Sequence, residues 1–267
     1  MAVVISPPPV DRLCDSLQRA SGRLAALLRR DPDPAARAIG RWNVGETAAH
    51  ASSSPTHFLA VARGELADLD TIDHVDRSNA EHLASDPERR PRVLAARLER
   101  ADDELVSYAR TVDGDPVVHL FGGVDVPLST LLAVELGELL VHGDDIARAS
   151  RLSWQIPKEE AAVALDGLIT LLPAVVDEHR ARNLRMRCEL RIRGGSRSVV
   201  AIDRGVLLVE PPSARSVDCR ISVDPVTFLL LVFHRIGPLR AMARGGIVAW
   251  GRRPWRAARL QTALKAI

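Results

Sequence analysis

Glu138 and His142 stand one helical turn apart in the segment PLSTLLAVELGELLVHGDDIARAS, residues 127–150, and Glu135 lies two turns before His142, close to the same line. A carboxylate and an imidazole so spaced converge on one point. Two arrangements use that convergence, a mutual hydrogen bond or a shared metal ion. The residues around them are apolar on nearly every face, so the segment predicts a long buried helix in which charge is out of place. An unpaired buried carboxylate costs about 3–5 kcal/mol. Both arrangements avoid that cost, and this helix alone leaves them equally open.

The elements that must position these groups also read as helices. Leu13, Leu17, Ala20, Leu24 and Leu27 or Leu28 recur at steps of three and four, with Asp11 as the expected cap and DPDP at 31–34 as the stop. Asn43 with Glu46 three residues later predicts a capping box opening a second helix, with Trp42 as a hydrophobic staple and a kink near Pro55. In that helix Ala48, Ala49 and Ala51 surround His50 and let another helix approach, and His57 lies two turns further along. Residues 68–90 are polar and rich in Asp, a connection with a short helix whose His74 and His82 are expected in solvent. Leu94, Leu98, Ala101, Leu105, Tyr108 and Val112 form the stripe of a further bundle helix. The stretch 113–126, with His119, reads as loop or short extended chain. Four such helices predict a four-helix bundle, a common place to build metal sites from facing side chains. Taken alone, His50 is an ordinary core histidine. Beside Glu138 and His142, it makes a three-ligand His/Glu/His site the better reading, with His57 and Glu135 in reserve.

Composition narrows the function classes. The 267 residues are 46% hydrophobic, enough for two cores, and the formal charge is +2 with mixed signs, which demands neither nucleic acid nor an anionic membrane. Lys158 and Lys265 are the only lysines, and aromatic residues make up 3%, a poor supply for base stacking. Cys14, Cys188 and Cys219 are scattered, which suits a reducing compartment and offers neither a disulfide framework nor a zinc knuckle. The opening MAVVISPPPV lacks the basic region of a signal peptide, and the apolar run 228–233 is too short to span a membrane. A cytoplasmic protein, monomer or homodimer, is expected. Gly122-Gly123, Gly194-Gly195 and Gly245-Gly246 read as turns rather than phosphate loops.

RWNVGETAAH at 41–50 and GELLVHGDDIARA at 137–149 together resemble the DinB-like metal-binding domain of the mycothiol-dependent maleylpyruvate isomerases. Trp42, Val44 and His50 match that family's W-x-V-x-x-x-x-x-H segment; Glu138, His142, Gly143 and Asp145 match its E-x-x-x-H-G-x-D segment. The resemblance covers roughly residues 10–155. It implies His50, Glu138 and His142 as ligands of a divalent metal, usually zinc, with a fourth position open for water or thiolate. It also implies mycothiol as the thiol cosubstrate. Asp144 stands where relatives often carry Trp.

After WQIPKEE, a helix is expected over 158–182, and then the pattern changes. Leu184, Met186, Cys188, Leu190 and Ile192 alternate with Arg and Glu, and strands are expected at 184–193, 197–202, 206–210 and 217–223. Asp224-Pro225 opens a short apolar helix; GPLRAMARG, 247–250 and 254–266 give helix, strand and helix. The expected architecture is a DinB-like α-helical four-helix bundle over 1–156 followed by a smaller α+β domain with an antiparallel sheet over 157–267. The tail from Ile221 resembles the sterol-carrier-protein-like domain often fused behind such bundles. Relatives often read Gly-Arg where this chain has His234-Arg235, so Arg235 is the candidate catalytic cation, contacting an acidic substrate or thiol cofactor across the domain junction; an ordinary surface arginine is the competing reading.

The expected function is a metal-dependent enzyme that activates a low-molecular-weight thiol for transfer to, or isomerisation of, a small electrophile. The alternative is a binding protein holding an apolar ligand in the C-terminal domain. A weaker option is an anti-sigma-type regulator, against which stand the absence of a basic recognition helix and the dispersed cysteines.

Overall fold

The computed structural model describes residues 5–66 and 75–264; His74 lies outside them. One compact unit spans Pro9–Ile156, and the chain from Pro157 onward forms the second. Four long helices build the first unit: α1 (Val10–Arg29), α2 (Val44–Ala62), α4 (Pro91–Thr111) and α5 (Leu128–Ser150), with the short α3 (Val75–Ser85) between α2 and α4. Helices α1 and α2 each pack against both α4 and α5, which closes a ring around one core.

Local chemistry explains these elements. The predicted stripe of α1 is buried along its length, from Leu13 to Leu28. Asp11 does not cap it. The helix begins at Val10 with Pro9 at the cap position and no side-chain cap, which leaves Asp11 in the first turn, where a negative charge favours the helix dipole. The capping box of α2 is formed: Glu46 N donates to Asn43 Oδ1 at 2.8 Å, and Asn43 N donates to Glu46 Oε2 at 2.8 Å. Pro55 lies within α2, which runs on to Ala62. Two short hairpins frame the bundle, β1 (Arg37–Ile39) with β2 (Trp42–Asn43) and β3 (Val117–Leu120) with β4 (Val124–Pro127). His82 is exposed, as expected.

In the second unit the expected helix over 158–182 is broken. Helix α6 (Lys158–Leu168) tightens into a 3₁₀ turn at Ile169–Leu171 before Pro173, which has no backbone N–H to continue the helical hydrogen bonds, and α7 is only Glu178–Ala181. The sheet holds β5 (Arg185–Ile192), β6 (Arg197–Asp203), β7 (Val206–Glu210), β8 (Cys219–Val223) and β9 (Ile247–Trp250) in the order β7-β6-β5-β8-β9. Three of its pairings are antiparallel as expected, but β5 and β8 pair in parallel, so the sheet is mixed. The chain leaves β7 at one end and returns through residues 211–218 before adding β8 on the free side of β5. Met186, Cys188, Leu190 and Ile192 are buried with Cys219, Ile221 and Val223 on one face. Helices α8 (Pro225–Val232), α9 (Pro238–Ala243) and α10 (Arg256–Thr262) complete the unit, and Asp224 caps α8 by accepting from Thr227 N at 3.1 Å.

Several polar groups interrupt the apolar core of the bundle, and Asp102 is among them. Asp102 of α4 is 1% exposed and its Oδ1 has no hydrogen-bond partner. Burial, with repulsion from Asp103, pushes its carboxyl up to about 7. The folded protein therefore holds a proton that the unfolded chain releases near pH 4, so this group's penalty is absent below that pH and grows as the pH rises to about 7. We expect Asp102→Asn to raise stability by about 1–4 kcal/mol at pH 8 and to change it little at pH 4, as read by urea unfolding at the two pH values.

Candidate metal centre

Helices α2 and α5 bring His50, Glu138 and His142 together, each contributing one ligand atom within 4.8 Å of the others, a group that could hold a metal ion. His50 lies two turns into α2 from the Asn43 cap, where small neighbours admit α5. Glu138 Oε2 sits 2.9 Å from His142 Nε2 and 3.5 Å from His50 Nε2. The two imidazole rings meet edge to face at 5.0 Å, and Trp42 stacks obliquely over His50 at 5.0 Å and His142 at 6.3 Å. Trp42 is thus part of the wall of this site as well as the residue before the cap.

A polar chain continues behind His142. Its Nδ1 lies 3.3 Å from Asp145 Oδ2, and Asp145 Oδ1 accepts from Arg148 Nη2 at 2.7 Å. Asp145 is fully buried, whereas the Arg148 side chain is 54% exposed, so the chain leads from the core to solvent. Burial lowers the His142 pKa, but Asp145 and Glu138 outweigh it and the group is raised to about 9. For Glu138, burial is likewise outweighed, here by the two imidazoles, and its carboxyl is held well below the usual range. Burial prevails at His50, whose pKa is lowered. Glu135, fully buried, accepts from Ser54 Oγ at 2.7 Å, its other oxygen has no partner, and burial raises its pKa well above the usual carboxylate value.

A model of the mycothiol maleylpyruvate isomerase N-terminal domain matches residues 10–147. The chain belongs to that family. Among solved structures, the mycothiol-dependent maleylpyruvate isomerase superposes with a TM-score of 0.54 at 14% identity, covering 92% of this chain and 95% of its own. A histidine-to-alanine variant of that isomerase gives 0.54 at 13% identity over the same shares of the two chains. Sterol carrier protein 2 from Yarrowia lipolytica aligns with 42% of this chain and 100% of its own at 14% identity, with a TM-score of 0.26 that is too low to bear on the second unit. No curated protein sequence matches the chain significantly. Among the described residues, no helix is long and apolar enough to cross a membrane.

The bundle of this chain thus carries a donor set of two imidazoles and one carboxylate. That set suits a catalytic zinc-class site, which takes three protein ligands and leaves one position open. The side chains of Glu138 and His50 are 23% and 13% exposed, so the open position would have access to solvent. Of the reserve residues, Glu135 is engaged with Ser54, and His57 is exposed on α2 beside Phe58. His119 is also exposed, at 2.7 Å from Asp125 in its hairpin. Arg235 belongs to the second unit, in the turn after α8, where its Nη1 donates to Phe233 O at 2.6 Å. His234 beside it adopts φ 57°, in the left-handed region that glycine enters without strain.

Asp145 and Trp154 carry roles that the sequence reading did not assign. Asp145 was matched to the family's E-x-x-x-H-G-x-D segment without a role, and its position three residues after His142, on the same face, is what could have given it one. For Trp154 the signal was Gly143, because a Cβ there would lie 2.1 Å from the indole ring. We expect Gly143→Ala to force that ring aside and to destabilise the first unit by about 1–3 kcal/mol, measured by chemical unfolding followed through tryptophan fluorescence.

Proposed function

We propose that this chain is a metal-dependent enzyme that activates a low-molecular-weight thiol, mycothiol by its family, for transfer to or isomerisation of a small electrophile. The observation that carries the proposal is the convergence of His50, Glu138 and His142 at a partly open point inside an otherwise apolar bundle. Bound there, a divalent cation such as zinc would supply the charge that keeps a thiol ionised at neutral pH.

The chain's own residues do the positioning. Asp145, 3.3 Å from His142 Nδ1, would orient that ring so that Nε2 addresses the site, and Arg148 Nη2 donates to Asp145 Oδ1 at 2.7 Å. Glu138 contributes the one negative ligand. Glu135, neutral beside Ser54, adds no second charge to the site. The Trp42 ring and the apolar faces of α2 and α5 limit water around the reacting thiol. No side-chain nucleophile is needed, since the cosubstrate thiolate attacks the electrophile directly. In this proposal Arg235 of the second unit supplies the cationic contact to an acidic substrate or cofactor. The cellular setting consistent with this chemistry is the cytoplasm.

A second reading, a carrier of an apolar ligand, draws on the second unit, where Leu239 is 82% and Trp255 63% exposed and α8 is apolar apart from Thr227. Lipid in organic extracts of the purified full chain, with no metal, would favour it.

The deciding measurement is elemental mass spectrometry of protein purified without added metal. About one zinc-class ion per chain is expected, absent from His142→Ala, with thiol-dependent turnover lost in step. Turnover retained by a metal-free variant would overturn the proposal. Asp145→Asn should bind the metal roughly 10–100-fold more weakly while keeping the fold, as read by competition with a chromogenic chelator.

A further inference from the structure

The second unit holds a pair of side chains that the metal site does not use. Cys188 of β5 and Cys219 of β8 are direct neighbours in the parallel pairing, 31 residues apart in sequence, and both are 0% exposed. Their Sγ atoms lie 2.7 Å apart. Non-bonded heavy atoms pack at about 3.5–4.0 Å, so two protonated thiols are crowded at this separation. Adjacent strands run about 4.7–4.9 Å apart, within the Cα separation that a disulfide bridges, about 4.4–6.8 Å. The parallel register holds both side chains on the same face of the sheet.

We propose that Cys188 and Cys219 are a redox modification site, which a peroxide oxidises to a disulfide that cross-links β5 to β8. Cys219, as thiolate, attacks one peroxide oxygen. The O–O bond breaks, Cys219 becomes a sulfenic acid, and the hydroxide released takes up the proton that the thiol lost, giving water. The Cys188 sulfur then attacks the Cys219 sulfur. The S–S bond forms, the S–O bond breaks, and the oxygen leaves as a second water carrying the Cys188 proton. The two thiols are oxidised and the peroxide is reduced. Mutual contact supports this order, because an S–H···S contact in which either sulfur can donate eases ionisation of Cys219 while Cys188 keeps its proton. Cys14 is buried in the bundle and belongs to the other unit.

The test uses the full chain, reduced, freed of reductant, exposed to hydrogen peroxide under native conditions, and then alkylated in denaturant. The expected product is lighter than the reduced protein by two hydrogen atoms before alkylation and takes up one alkyl group, on Cys14, instead of three. A linked peptide joining 188 to 219 should appear and vanish with dithiothreitol. Closing that loop should also raise the thermal midpoint by about 5 °C or more. Cys188→Ala and Cys219→Ala should each lose the mass change and the midpoint shift. Should either variant fail to fold, the wild-type peptide map decides by itself. Three alkylated cysteines after prolonged exposure, or oxidised Cys188 and Cys219 without the linked peptide, overturns the proposal.

Discussion

The ionised carboxylate of Glu138, set inside a helix whose other faces are almost wholly apolar, is the constraint on which the bundle depends. A negative charge in that position is tolerable only with cationic or metal partners close by. Two imidazoles face it, from its own helix and from α2. Behind His142 the signs alternate, with Asp145 on the imidazole and Arg148 on Asp145, until the last charge reaches solvent. Buried carboxyls outside this chain behave differently. Glu135 and Asp102 are more deeply buried, and burial raises their pKa values. One helix bundle thus holds carboxyls with lowered and raised pKa values side by side, and close imidazole partners set Glu138 apart.

That requirement reaches outward into the backbone. The capping box at Asn43 and Glu46 fixes where α2 begins, and hence sets His50 two turns inside the helix. The β1–β2 hairpin delivers Trp42 to the rings of His50 and His142 just ahead of the cap. Ala48, Ala49 and Ala51 are fully or almost fully buried and give α5 room to approach. Gly143, immediately after His142, makes space for Trp154 in the same way.

Much of this was legible in the sequence, because the signals are local. Helical periodicity, the Asn43/Glu46 spacing and the Glu138/His142 step are all contained within a few turns, and the alternation of 185–192 marks a strand unambiguously. Features set by distant parts of the chain were hidden. The parallel pairing of β5 with β8 depends on how the chain returns after β7, so the expectation of antiparallel pairings throughout failed at that one place, and the contact between Cys188 and Cys219 that follows from it looked like scattered cysteines. The break of the 158–182 helix was signalled by Pro173, but the apolar stripe of Leu165, Leu168, Ile169 and Leu172 outweighed it. Asp11 was misplaced as a cap because Pro9 already satisfies the backbone geometry of a helix start.

Asp144 adds a second carboxylate to the polar chain. It lies 3.0 Å from Arg148 Nε, on the same guanidinium whose Nη2 holds Asp145. Arg148 is thereby clamped from two sides, and its fork geometry lets it serve both carboxylates at once. The restraint passes through Asp145 to the Nδ1 of His142. The second carboxylate therefore helps to hold the orientation of an imidazole at the centre. The polar chain behind His142 ties its most exposed residue, Arg148, to the fully buried Asp145.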